Sequence, residues 1–140
     1  FHVKCMEIQI KLQVIVQNWL LLAVKLGDFM FIAMNRFKII IGKEQDFENV
    51  WKNRDSHLEN VPGFIKFNLL RGSANSDFTL YSSHTVWSSE NDFLDWTKSE
   101  SFRLAHKDAG KNSSMYLGHP EFEGFKAVLW KNYYNTIFWF

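Results

Sequence analysis

With 140 residues, 16 basic against 15 acidic side chains and a net charge of +1, the chain has the size of one compact domain and no charge field that would draw nucleic acid or an acidic partner. Its single cysteine, Cys5, excludes an intramolecular disulfide and any cysteine-based metal cluster, so a reducing, cytoplasmic setting is expected. Aromatic residues make up 17% of the chain, with 14 Phe and 6 Trp, which suits a large flat ligand and an aromatic core equally.

Residues 1–29 read as an N-terminal extension, either foreign to the domain or an amphipathic helix. The apolar run at 12–26 is broken by Gln13, Gln17, Asn18 and Lys25, and so falls short of the roughly 18–20 clean apolar residues of a membrane span. A signal peptide is the competing reading, since Lys4 and Lys11 precede the run, but no small-residue cleavage site follows it. The domain proper is expected over 30–130. Residues 31–41 form a strand: alternation puts Phe31, Ala33, Asn35, Phe37 and Ile39 on one face and Ile32, Met34, Arg36 and Lys38 on the other. Asn35 interrupts an apolar face, where an unpaired amide costs roughly 1–3 kcal/mol, so it needs a partner in the protein or in a bound molecule.

From Gly42 the period becomes helical, with Phe47, Val50, Trp51 and Leu58 on one stripe, and the helix is expected to run until Val61-Pro62-Gly63 stops it. His57 then falls at its polar, solvated end. Residues 64–71 and 78–87 form an antiparallel hairpin around a 72–77 loop, with His84 expected to make a cross-strand hydrogen bond and held as a second candidate metal ligand. Ser88 and Ser89 ahead of Glu90 and Asp92 carry the capping oxygens and acidic first turn of a helix start. Phe93 and Trp96 share a face of that helix. After a polar break at 97–101, Phe102, Ala105 and His106 share the apolar face of a second short helix ending near Gly110. On residue type alone, His106 reads first as a packed histidine and only second as a ligand. Residues 111–114 read as a mobile polar link, 122–130 as the last strand, and 131–140 as a tail of undetermined structure.

This order gives an α+β class: a ferredoxin-like βαββαβ antiparallel sheet with helices on one face. The first strand is apolar on both faces at its start. A homodimer packed sheet to sheet would cover Met30, Ile32 and Met34 and complete a dimeric α+β barrel.

Four motifs in order, MNRF at 34–37, HTVW at 84–87, DWTKS at 95–99 and FRLAH at 102–106, resemble the IsdG-type haem-degrading monooxygenases of the antibiotic biosynthesis monooxygenase superfamily. VPGF at 61–64, LLRG at 69–72 and LGHPEFEGF at 117–125 look most like the HmuQ-type bacterial members, so the similarity covers about 30–128. The resemblance implies a dimeric barrel with one haem pocket per subunit, in which haem is both substrate and cofactor. It carries the family's Asn, Trp and His onto Asn35, Trp96 and His106, with Phe102 beside them in the haem-binding set. His106 would ligate the haem iron, Asn35 would hydrogen-bond dioxygen on the open side, and Trp96 would be a steric wall that holds the macrocycle out of plane. Electrons would come from an external reductase, since no GxGxxG fingerprint is present. The implied products are a biliverdin-like tetrapyrrole, iron and carbon monoxide, with an oxo-bilirubin type as the variant outcome. Two other classes stay open: a cofactor-independent monooxygenase acting on aromatic small molecules, and a non-catalytic haem-binding protein.

Overall fold

A computed structural model of the chain describes residues 13–15 and 30–131. Residues 13–15 are helical and exposed; the expectations for the rest of 1–29 and for the tail from 132 onward lie outside the described residues. Among the described residues no helix is long and apolar enough to cross a membrane.

Met30–Lys126 form one compact unit. Strand β1 (Phe31–Ile40) leads to helix α1 (Glu44–Asn53) and the hairpin β2 (Phe64–Ala74) and β3 (Phe78–Trp87). Helices α2 (Glu90–Thr97) and α3 (Glu100–His106), a single 3-10 turn (Ser113–Met115) and strand β4 (Glu121–Lys126) follow. All strand pairs are antiparallel in the order β2-β3-β1-β4, so the ferredoxin-like α+β arrangement expected from the element order is the one adopted.

The alternation in β1 decides which face is core. Phe31, Ala33, Phe37 and Ile39 are buried on the helix-covered face, and they belong to two separate clusters. Phe37 and Ile39 pack with Phe47, Tyr81 and Met115, whereas Phe31 and Ala33 pack with Leu58 and Trp87. Asn35 lies on the strand between the two sets. Phe47 is wholly buried by the first cluster, a burial that contributes about 1.5–3 kcal/mol. Its ring meets Tyr81 at 4.8 Å. Tyr81 in turn donates to Glu48 Oε1 at 2.7 Å, and that oxygen also faces Arg71 at 3.4 Å.

Four boundaries differ from the periodicity. Helix α1 stops at Asn53, not before Val61: Asn53 bonds back to the Asn49 carbonyl, Arg54 is extended, and Asp55 Oδ1 accepts the His57 N–H at 3.0 Å. This local side-chain bond competes with the helix ladder, so Leu58 enters the core from a loop and His57 sits in left-handed backbone at φ 51°. Strand β2 continues through a bulge to Ala74, and Asn75 Oδ1 closes the turn by accepting from Asp77 and Phe78. Strand β4 ends at Lys126 because Lys126 pairs with Phe31, the first residue of β1, beyond which the ladder has no partner. The 111–114 link runs into the 3-10 turn, which delivers Met115 to the core.

Tyr81 is buried, and that burial, followed by its bond to the Glu48 carboxylate, pushes its phenol up to about 12. Above pH 10 the unfolded chain releases this proton before the folded one does, so stability should fall between about pH 10 and 12. Replacing Tyr81 by Phe should cost roughly 1.5–3 kcal/mol in urea unfolding at pH 7, the range for a hydrogen bond to a charged group, and should flatten that alkaline loss. Equal stability of the two proteins at pH 7 would contradict this account.

Candidate functional site

The gap that Asn35 occupies opens into a cavity of about 1390 Å³ between the sheet and the helical side of the unit. Its floor includes Ala33, Asn35 and Phe37 from β1 and Ser83 and Thr85 from β3. Asn35 and Ser83 are direct cross-strand partners, so both side chains face the cavity side by side. Asn35 Oδ1, an acceptor, is buried without a donor among the described residues.

The opposite wall is carried by α2 and α3, whose placement is written in short polar residues. Ser89 caps α2 by accepting the Asp92 N–H at 3.1 Å, and the Asp92 carboxylate accepts from the hydroxyls of Ser88 and Ser89. Asp92 lies against Gly63, where an added Cβ would come within 2.4 Å of its side chain and where φ is +78°, so only glycine permits both the turn and the approach. Ser99 joins the helices. Its hydroxyl donates to the Trp96 carbonyl at 2.6 Å and accepts the Phe102 N–H at 3.2 Å, ending α2 and capping α3 in one residue.

That junction brings Trp96, Phe102 and His106 together. The Phe102 and His106 rings stack at 4.0 Å, and Trp96 lies 4.9 Å from Phe102 and 6.0 Å from His106. His106 Nδ1 is 2.8 Å from the Phe102 carbonyl, which selects the Nδ1–H tautomer and leaves the Nε2 lone pair for a ligand. Burial, with the Arg54 charge adding to it, holds the imidazole below its ordinary pKa, so it is neutral near pH 7. Trp96 Nε1 is likewise buried without a partner among the described residues. The four residues expected at the site, Asn35, Trp96, Phe102 and His106, all line the one cavity.

His84 does not. It pairs with Met34 and Asn68 on the sheet face turned away from Asn35 and Ser83, which removes it as a second ligand candidate in this cavity. Nor does it make the expected cross-strand bond, since its buried Nδ1 has no partner among the described residues.

Three cavity groups were not anticipated. Arg54 donates across the cavity edge to the Ala105 carbonyl, the residue before His106, and its guanidinium lies 4.8 Å from the Trp51 ring. Burial lowers its pKa below the ordinary guanidinium value, yet it remains a cation at the site. Tyr116, its phenol raised by burial, lines the same wall. His57, expected on the solvated surface, also faces the cavity. The spacing of Trp51 and Arg54, three apart, was the one available signal for the first of these.

Residues 30–108 match the antibiotic biosynthesis monooxygenase family. A heme-degrading monooxygenase of Bacillus thuringiensis (strain Al Hakam) is 31% identical over 81 residues, spanning 58% of this chain and 75% of the relative. A crystal structure of a protein named a putative antibiotic biosynthesis monooxygenase from Bacillus cereus superposes with a TM-score of 0.62 at 17% identity, covering 76% of this chain and 98% of that one. The heme degrader MhuD from Mycobacterium tuberculosis, with two hemes bound in its active site, superposes at 0.57 with 24% identity, covering 73% and 99%. SnoaB of Streptomyces nogalater, a cofactor-independent oxygenase, does so at 0.53 and 24% over 71% and 94%. With the family match spanning more than half of its length and its fold shared across these structures, the chain belongs to the antibiotic biosynthesis monooxygenases.

Proposed function

We propose that this monooxygenase degrades haem, cutting the porphyrin with dioxygen and externally supplied electrons to a biliverdin-like tetrapyrrole and free iron. The observation that carries this reading is the donor set. A neutral histidine with one nitrogen anchored and the other turned to the cavity stands in an aromatic-walled space whose buried Asn35 Oδ1 and Trp96 Nε1 have no partner among the described residues. A neutral imidazole in apolar surroundings is the usual proximal ligand of haem iron. The heme-degrading relative at 31% identity supports the same substrate.

Bound haem would supply both the iron that activates dioxygen and the carbon skeleton that is opened. The chain's own residues do the rest. His106 would hold the metal through Nε2 while its Nδ1–H stays on the Phe102 carbonyl, which fixes the ring against rotation. Trp96 and Phe102 would give the macrocycle an aromatic wall and keep water from it. The Asn35 side chain, on the sheet floor, would donate through its Nδ2 amide to dioxygen and help orient it toward the porphyrin, a gain in orientation more than in proton transfer. Arg54, already partly desolvated, is the cation for an anionic edge of the ligand. The working unit would be a homodimer packed through the sheet face that carries Ile32 and Met34, fed by a separate cytoplasmic reductase.

A second reading, cofactor-independent oxygenation of an aromatic small molecule, draws on the apolar walls and on the fold shared with SnoaB. It leaves the free His106 nitrogen without a task. Haem titration separates the two, because only the first reading produces a ligated iron spectrum.

Two variants test the roles. His106→Ala should lose tight haem binding and turnover together; an unchanged haem spectrum in this variant would place the ligand on another residue. Asn35→Ala should keep haem affinity within about tenfold, since one neutral hydrogen bond contributes about 1.4 kcal/mol or less, while turnover nearly vanishes. The asymmetry follows because resting haem needs only the iron bond and apolar contact, and interactions made along the reaction path appear in rate. Parental turnover in Asn35→Ala would make Asn35 a structural amide.

A further inference from the structure

The buried end of Asn35 makes a demand that haem and dioxygen do not meet. Oδ1 is an acceptor, so it needs a donor. A haem face offers no N–H, since iron occupies the ring nitrogens, and dioxygen only accepts; the amide end that can serve them is Nδ2. An acceptor sealed beneath an apolar macrocycle without a donor is costly.

The sheet limits where that donor can come from. Along β1 the neighbours of Asn35 on its own face are Ala33 and Phe37, which carry no polar side-chain atom. On β4 its cross-strand partner is Phe122. On β3 the diagonal neighbours are Tyr81 and Thr85, and both hydroxyls are committed: Tyr81 donates to Glu48 at 2.7 Å, while Thr85 donates to the Ala33 carbonyl at 3.3 Å and accepts the Trp87 indole N–H at 2.9 Å. Trp96 Nε1 is carried by the helical wall, so a ligand held between the walls parts it from Asn35. Ser83 remains. It is the direct partner of Asn35, half-buried, and lines the cavity. Cross-strand Cβ atoms stand about 4.5–5.5 Å apart, so a serine hydroxyl and an asparagine amide on one face can meet after a change of rotamer.

Ser83 has the matching need. In an open cavity water can satisfy its hydroxyl; under a macrocycle that excludes water, the hydroxyl and Asn35 Oδ1 both go unpaired unless they bond to each other. We propose that Ser83 is the positioning residue of Asn35: when haem fills the cavity, the Ser83 hydroxyl donates to Asn35 Oδ1, pins the amide and keeps Nδ2 turned to the ligand. An unpinned amide can turn over and exchange its donor and acceptor ends, which would set one acceptor against another at dioxygen. This role rests on the haem reading above and acts through Asn35, not on the substrate.

The test is the infrared C–O stretch of the ferrous haem–carbon monoxide complex of the full chain, with haem affinity and turnover measured beside it. A donor to the bound carbon monoxide lowers that stretch. Threonine and valine share a shape that suits a strand and differ by the hydroxyl, so Ser83→Thr and Ser83→Val isolate the hydrogen bond. Ser83→Ala is a second hydroxyl-free variant that adds no bulk, and the melting temperatures of the haem-free proteins verify folding. Ser83→Thr should keep the parental stretch. Ser83→Val and Ser83→Ala should raise it towards the Asn35→Ala value and slow turnover about tenfold while haem affinity changes by no more than about threefold, because resting haem does not need the pinned amide. In an Asn35→Ala background, Ser83→Val should shift the stretch no further, since the hydroxyl acts only through the amide. Equal stretches in Ser83→Thr and Ser83→Val, or a Ser83→Val shift that persists without Asn35, would overturn the role of Ser83 and leave the haem reading standing. A parent that takes up no haem would overturn both.

Discussion

An amide set into the middle of an apolar strand face organises this molecule. Ala33 and Phe37, two positions either side of Asn35, each join a different core cluster, so β1 links two packed regions and leaves a polar residue at the seam. A buried amide without a partner is expensive, and packing a side chain over it would bury it further. The arrangement is consistent with a seam kept open for a ligand that completes the amide's hydrogen bonding. The indole N–H of Trp96 on the opposite wall, also without a partner among the described residues, calls for an acceptor where Asn35 Oδ1 calls for a donor.

Holding the seam open requires walls that do not collapse into it. The helical wall is stiffened at three points: by the Ser88, Ser89 and Asp92 cap against Gly63 and the Ser99 junction, which lie behind the cavity lining, and by the Arg54 clasp onto Ala105 at the cavity edge. Each satisfies backbone groups that helix ends leave unpaired, so the same bonds that terminate and start helices also set where Trp96, Phe102 and His106 point. Rigid support for a site from residues one layer behind it is what precise ligand placement needs. Gly124 adds a passive contribution, since a Cβ there would meet the Phe31 ring at 2.5 Å and displace the wall of the second cluster.

What could be read from the sequence was what depends on neighbours along the chain. The alternation of β1, the Ser89 cap and the i, i+4 pairing of Phe102 with His106 are local patterns, and the structure keeps them. Asn35 could be singled out because it breaks a period. The end of α1 was misjudged because the helical stripe continues in sequence to Leu58, while an Asx-type bond at Asp55 and a long-range pull on Arg54 end the helix sooner. Leu58 still reaches the core, which shows that a hydrophobic period reports burial more securely than the element that achieves it. Arg54 and His57 are hard to place at the cavity for a related reason: beyond the spacing of Trp51 and Arg54, the partner that positions Arg54 is 51 residues away, and the conformation that turns His57 inward lies in one left-handed residue. For His84, nothing local could tell that its buried nitrogen would lack a partner among the described residues.

The account stands or falls on whether the ligand completing Asn35 and His106 is a haem that this chain consumes. Aerobic turnover of the reconstituted haem complex with a supplied reductant, followed by absorption and by mass spectrometry of the extracted pigment, addresses that directly. The account predicts that the haem band decays and that an oxygenated open-chain tetrapyrrole appears with iron released in step. A haem band that persists under reductant and oxygen would contradict it and leave a binding protein; failure to form the band at all would point to an aromatic substrate oxidised without a cofactor.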